Sequence, residues 1–167
     1  MSKNTPDEIV AFEDDWSEQR PDLDPSAVAT ELRLQQLSRR NWERNVDALA
    51  TLDLEWWAYD LLSELRRLGP PYQCPVNQLS KIIPLTSGAL THRLDGLVER
   101  KLVSRGSDAN DRRKVLIKLT AVGRKLVDKA ATARFEAAEE AFEPLTKTER
   151  KKLNTLFDKL LSAPTIK

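Results

Sequence analysis

The sequence predicts a mainly α fold with a small β wing: a winged helix-turn-helix domain flanked by N- and C-terminal dimerisation helices. Three observations carry this. Residues 75–101 hold two short apolar patterns of helical spacing, separated by Pro84. Two runs rich in branched and apolar residues, 102–105 and 114–119, follow with a charged loop between them. Long stretches almost free of Gly and Pro lie on either side.

The first element is an amphipathic helix over 7–19, with Ile9, Phe12 and Trp16 spaced by three and four. Arg20-Pro21-Asp22-Leu23-Asp24-Pro25 breaks it, and Ser26 is the expected cap of the next helix. That helix, 26–50, scatters Val28, Leu32, Leu37, Trp42, Val46 and Leu49 along its length. It exposes more apolar surface than one small domain covers, so a second copy is the expected cover. Asp53 is the expected cap of a helix reaching Leu68, where Gly69-Pro70-Pro71 stops it.

The reading unit comes next. Residues 75–82 form its first helix and 87–101 its second, capped by Thr86 or Ser87. On the second helix Leu90, Leu94, Leu97 and Val98 share one face, while Thr91, His92 and Arg93 lie on or beside the other. Strands over 102–105 and 114–119 flank the loop Gly106-Ser107-Asp108-Ala109-Asn110-Asp111-Arg112-Arg113. One helix of such a unit fits the major groove of DNA, and a thin basic loop reaches the minor groove. Thr120 then caps a long helix to about Phe142, Pro144 ends it, and Thr146-Lys147-Thr148-Glu149 is a capping box for a final helix. The expected domains are 1–52, with the extra and first dimerisation helices, 53–123, the DNA-binding domain, and 124–167, the C-terminal dimerisation helices.

Charge is distributed rather than large. The net charge of the 167 residues is +1. Residues 84–125 carry ten Lys or Arg against four Asp or Glu, whereas 1–24 carry two against eight. A basic reading end and an acidic extension follow from that asymmetry. No apolar run approaches the ~20 residues that cross a bilayer, and the acidic N-terminus lacks a signal-peptide pattern. The expectation is a cytoplasmic protein with no membrane partner. One cysteine, Cys74, and one histidine, His92, fall short of the about four ligands of a structural zinc site, and no cofactor is expected. No phosphate loop, nucleophile elbow or Ser-His-Asp set is present, so an enzyme is not expected. The alternatives are a regulator that senses oxidants through Cys74, and a helical adaptor that does not bind DNA.

Leu85-Thr86-Ser87-Gly88-Ala89-Leu90-Thr91-His92-Arg93-Leu94 through Leu119-Thr120-Ala121-Val122-Gly123 resembles the winged-helix core of the multiple antibiotic resistance regulator (MarR) family. Asp111-Arg112-Arg113 sits where that family carries its Asp-x-Arg wing signature. The resemblance implies a homodimer on a palindromic operator in double-stranded DNA. Arg113 would enter the minor groove, Asp111 would orient it, and Arg112 would lie near phosphate. Thr86, Ser87, Thr91, His92 and Arg93 would face the major groove or its rim.

A narrower resemblance concerns 16–24 and 57–72, which look like the urate-responsive branch of the family. It implies a ligand site made of Trp16, Asp60, Arg67 and Arg105, taking a small planar anion such as urate. Asp60 and Arg67 are two helical turns apart and share a face. A tryptophan supplies a stacking surface and guanidinium groups suit a planar oxyanion.

Overall fold

The computed structural model describes residues 5–83, 85–107, 111 and 114–164, with only the backbone at 82 and 87. The chain divides into two compact units, Met1–Asn45 and Val46–Lys167.

In the first unit, α1 (Pro6–Gln19) starts at a full capping box: the Thr5 side chain accepts from the Glu8 amide, and the Glu8 carboxylate accepts from Thr5 N–H at 2.6 Å. Arg20 pairs with Asp22 at 2.6 Å in the break that follows. The helix α2 (Ser26–Ala50) begins on a different cap from the expected one. Ser26 is already helical, and Asp24 takes its amide N–H at 3.0 Å. The carboxylate two residues upstream reaches that orphan donor. Glu13 of α1 holds Arg33 of α2 at 2.8 Å.

The second unit contains the core. Leu61, Leu62 and Leu65 from α3 (Trp56–Arg67) are buried among Leu79, Leu90, Leu94, Leu97, Ile117 and Val127. Asp53 does not cap α3. It sits at φ +50°, its carbonyl accepts from Arg100 at 2.6 Å, and Glu55 is the N-cap without a side-chain bond. The backbone turn at Asp53 is fixed by Arg100 instead.

A strand that periodicity did not reveal comes next. β1 (Gln73–Pro75) precedes α4 (Val76–Ile82), so Pro75 ends a strand rather than starting the helix. Gln73, Cys74 and Pro75 pair with Lys118, Ile117 and Leu116 of β3 (Val115–Leu119). Cys74, one residue before the expected helix, is thus a strand residue only 3% exposed. Three residues carry too short an alternation to be read as a strand alone; the partner decides.

Helix α5 (Ser87–Glu99) is capped by Thr86, which accepts from the Ala89 amide at 3.3 Å. It stops two residues before the expected Lys101, which adopts φ +57°. β2 (Val103–Ser107) pairs antiparallel with β3, Val103 opposite Leu119 and Ser107 opposite Val115, giving the order β1-β3-β2. It extends two residues beyond the expected Arg105.

At the base of this hairpin the Leu119-Thr120-x-x-Gly123 run has a physical reason. Thr120 caps α6 (Ala121–Ala141) by accepting the Gly123 amide at 2.9 Å, and its hydroxyl reaches Lys101 O at 2.8 Å. A Cβ at Gly123 would stand 2.0 Å from the Leu102 carbonyl oxygen. Glycine lets the start of α6 lie against the corner between α5 and β2. The last helix, α7 (Lys147–Leu161), has the expected Thr146–Glu149 capping box and no buried residue; Leu156, Leu160 and Leu161 are exposed. No described helix is long and apolar enough to cross a membrane.

Candidate DNA-reading edge and ligand groove

Helix α5 separates its two faces as its spacing requires. Leu90, Leu94 and Leu97 are 1% exposed or less and anchor it in the core, while Thr86, Thr91 and His92 are exposed. The exposed side chains can both donate and accept hydrogen bonds, as base edges demand. Arg93 is placed differently. Its guanidinium lies 4.9 Å from the centroid of Trp57 on α3, whose indole N–H donates to Glu55 at 2.5 Å. The ring therefore braces the side of the reading helix.

The wing hairpin stands beside α5 and is tied to it by Arg105 of β2, which pairs with Asp95 at 2.7 Å. At its far end Lys114 N–H donates to the Asp111 carbonyl at 2.9 Å, and the Lys114 ammonium lies 3.7 Å from the Asp111 carboxylate. Arg112, Arg113 and the Ser87 side chain lie outside the described residues.

The four residues expected to hold a ligand have separate surroundings. Trp16, 44% exposed, tilts against Phe12 with ring centroids 6.2 Å apart. It lines a groove of about 330 Å³ within the first unit, together with Leu23, Asp24, Pro25 and Val28. In the second unit, Arg67 is exposed and paired with Glu64 at 3.0 Å, and Arg105 holds Asp95. Asp60 lines a groove between α3 and α6 with Trp56, Tyr59, Arg134, Phe135 and Ala138. Desolvation pushes its carboxyl above the ordinary value, opposed by a hydrogen bond from Trp56; nearby Glu64 raises it further and Arg134 lowers it. Arg134 went unnoticed in the sequence, where nothing marks it among the charges of a long helix.

Cys74 offers little to an oxidant. Burial, followed by the charge of Glu64, pushes its thiol up, away from the thiolate that reacts. Among the described residues no group of three potential metal ligands occurs.

A helix-turn-helix joined to an antiparallel wing, with a polar edge left on its second helix, defines the winged-helix class of DNA-binding transcriptional regulators. Residues 52–114 match the model of the MarR family. The chain is 29% identical over 156 residues to the HTH-type transcriptional regulator PecS of Dickeya dadantii (strain 3937), covering 92% of each. It resembles the apo form of wild-type MarR from E. coli at 26% identity and TM-score 0.65, over 77% of this chain and 93% of that one. It is also similar to BpsR of Bordetella bronchiseptica, at 27% identity and TM-score 0.60, over 78% and 94% of the two chains. The chain thus carries a MarR-family match over residues 52–114 and is similar along most of its length to a helix-turn-helix transcriptional regulator.

Proposed function

We propose that this regulator acts as a homodimeric repressor that binds a palindromic operator and leaves it when a small planar anion binds. The observation that carries the DNA reading is the division of α5 into a buried Leu90/Leu94/Leu97 face and an exposed Thr91/His92 edge beside the wing. Thr86, Ser87 and Arg93 would flank that edge, with Asp111, Arg112 and Arg113 at the wing. Pairing of two chains is supported by apolar side chains left uncovered on α2 (Leu34, Leu37, Trp42) and on α7 (Leu156, Leu160, Leu161). Two reading heads about one DNA turn apart, ~34 Å, select inverted repeats.

The ligand reading draws on a relative: the DNA binding of BpsR is regulated by 6-hydroxynicotinic acid, a planar aromatic acid. Urate is a second candidate of that chemistry. Trp16, Asp60, Arg67 and Arg105 are the contacts that the urate-responsive branch would supply. Because α3 carries Asp60 and also the Trp57 ring against Arg93, a ligand that moves α3 changes the setting of the reading helix. Release requires the ligand to favour one state over the other, typically by ~1–3 kcal/mol.

Selection of bound duplexes from a random pool, followed by gel shift with and without urate or 6-hydroxynicotinate, tests this. Inverted repeats and ligand-induced release are expected. Selection of no sequence, with equal binding to any polyanion, overturns the operator reading. Unchanged operator affinity at saturating ligand removes the ligand arm alone.

A further inference from the structure

Helix α5 is held from outside the helix-turn-helix on one of its faces. Arg93 and Arg100 are seven residues apart, two helical turns, and share that face. Both reach residues 53–57, where the loop after α2 enters α3. The Arg93 guanidinium lies 4.9 Å from the Trp57 centroid. The Arg100 guanidinium donates to the Asp53 carbonyl at 2.6 Å and to the Asp53 carboxylate at 3.3 Å. That carboxylate is fully exposed, so the charge pair contributes little and the carbonyl makes the hold. The segment is itself anchored. Leu49 and Leu54 are buried, and the amides of Leu52 and Asp53 donate back to the Leu49 and Ala50 carbonyls at 3.0 and 3.1 Å. At about 3.6 residues per turn, Thr91 falls on the far side of α5 from the two arginines. Asp95 lies on that far side as well and takes Arg105 of the wing at 2.7 Å. A helix gripped at two heights on one face, and tied across its diameter on the other, neither rolls nor tilts freely.

We propose that Arg100 is a positioning residue for sequence recognition: together with the Arg93–Trp57 contact it clamps α5 to residues 53–57 and fixes the angle at which Thr91 and His92 meet base edges. The inference rests on the DNA reading of the proposed function and adds to it a residue that acts through the Asp53 carbonyl. Its consequence is selective. Hydrogen bonds to base edges weaken steeply as their angle departs from linear, so a helix free to roll loses sequence discrimination. Contacts to phosphate carry no sequence information and depend chiefly on charge, so non-specific binding survives the same movement.

The test uses the full chain with two probes, the duplex selected from the random pool and an unrelated duplex of equal length. Wild type, Arg100→Ala and Arg100→Lys are titrated against each by gel shift at several salt concentrations. Arg100→Ala should weaken the selected duplex about 10-fold, the loss of one hydrogen bond from a charged group. Affinity for the unrelated duplex, and both salt slopes, should stay at the wild-type values. Arg100→Lys still donates to the Asp53 carbonyl and should recover part of the loss. A merely structural role would lower both affinities by the same factor. Equal loss on the two duplexes, a salt slope smaller by about one unit, or unchanged affinity overturns the clamp, while selection of inverted repeats by the wild type leaves the proposed function standing. If Arg100→Ala does not fold, Trp57→Leu releases the other end of the clamp and should show the same selective loss; without that loss the clamp is overturned. Selection of no sequence by the wild type overturns the operator reading and the clamp with it.

Discussion

The guanidinium of Arg93, on the reading helix α5, stacks 4.9 Å from the Trp57 centroid on α3. An arginine held this way is placed to brace α5, whereas the DNA reading would have it contact phosphate, and salt tells the two apart. A phosphate contact contributes close to one unit to the slope of log affinity against log salt. Arg93→Ala should therefore lower operator affinity at every salt concentration with the slope unchanged. A slope that falls by about one unit would mean Arg93 leaves Trp57 and takes a phosphate in the complex.

The wing arginine should behave in the opposite way. Arg113→Ala removes a charge expected in the minor groove, so affinity should drop and the salt slope with it. The unfolding midpoint should stay where it is if Arg113 serves DNA contact and not folding. Gel-shift titrations at several salt concentrations, with a urea melt, measure both.

Gly123 tests the corner of the fold. A methyl group there meets the Leu102 carbonyl oxygen at 2.0 Å, and backbone must move to admit it. Gly123→Ala should cost about 1–3 kcal/mol, the usual penalty of overpacking. Urea denaturation of mutant and wild type would reveal it; an unaltered midpoint would show that α6 shifts freely.

Ligand affinity should depend on pH through Asp60. Its carboxyl is raised by desolvation, with Tyr59 and Glu64 from α3 and Arg134 from α6 as its charged or titratable neighbours. The sign follows from repulsion: an incoming anion disfavours the ionised carboxylate, so binding takes up a proton. Affinity should rise as pH falls through the raised Asp60 value, until the ligand itself is protonated. Asp60→Asn should bind the anion more tightly and flatten the profile. Calorimetry across pH decides, and a mutant that keeps the wild-type profile would assign the proton elsewhere.

Cys74 should be inert. The thiol is 3% exposed and pushed up by burial, so an aromatic disulfide reagent should react with it only as fast as the chain opens. Peroxide should give no intermolecular disulfide on a non-reducing gel, and Cys74→Ser should keep the response to any ligand. Fast modification of the folded protein would revive the oxidant-sensing alternative.

Much of the fold is written locally. Leu90, Leu94 and Leu97 repeat at helical spacing, and Thr86, Thr120 and Thr146 each take an amide three residues on. Such signals act over one turn of chain, so the sequence by itself determined the helix order, the caps at Thr86, Thr120 and Thr146, and the β2–β3 hairpin. The tertiary structure decided what depends on partners distant in sequence. β1 is a strand only because β3 offers it a ladder, and Asp53 turns because Arg100 takes its carbonyl. Arg93 leaves the exposed edge because Trp57 gives it a ring, and Arg134 lies over Trp56 because packing brings α6 against α3. No periodicity encodes those meetings; they exist only when packing has brought the helices side by side.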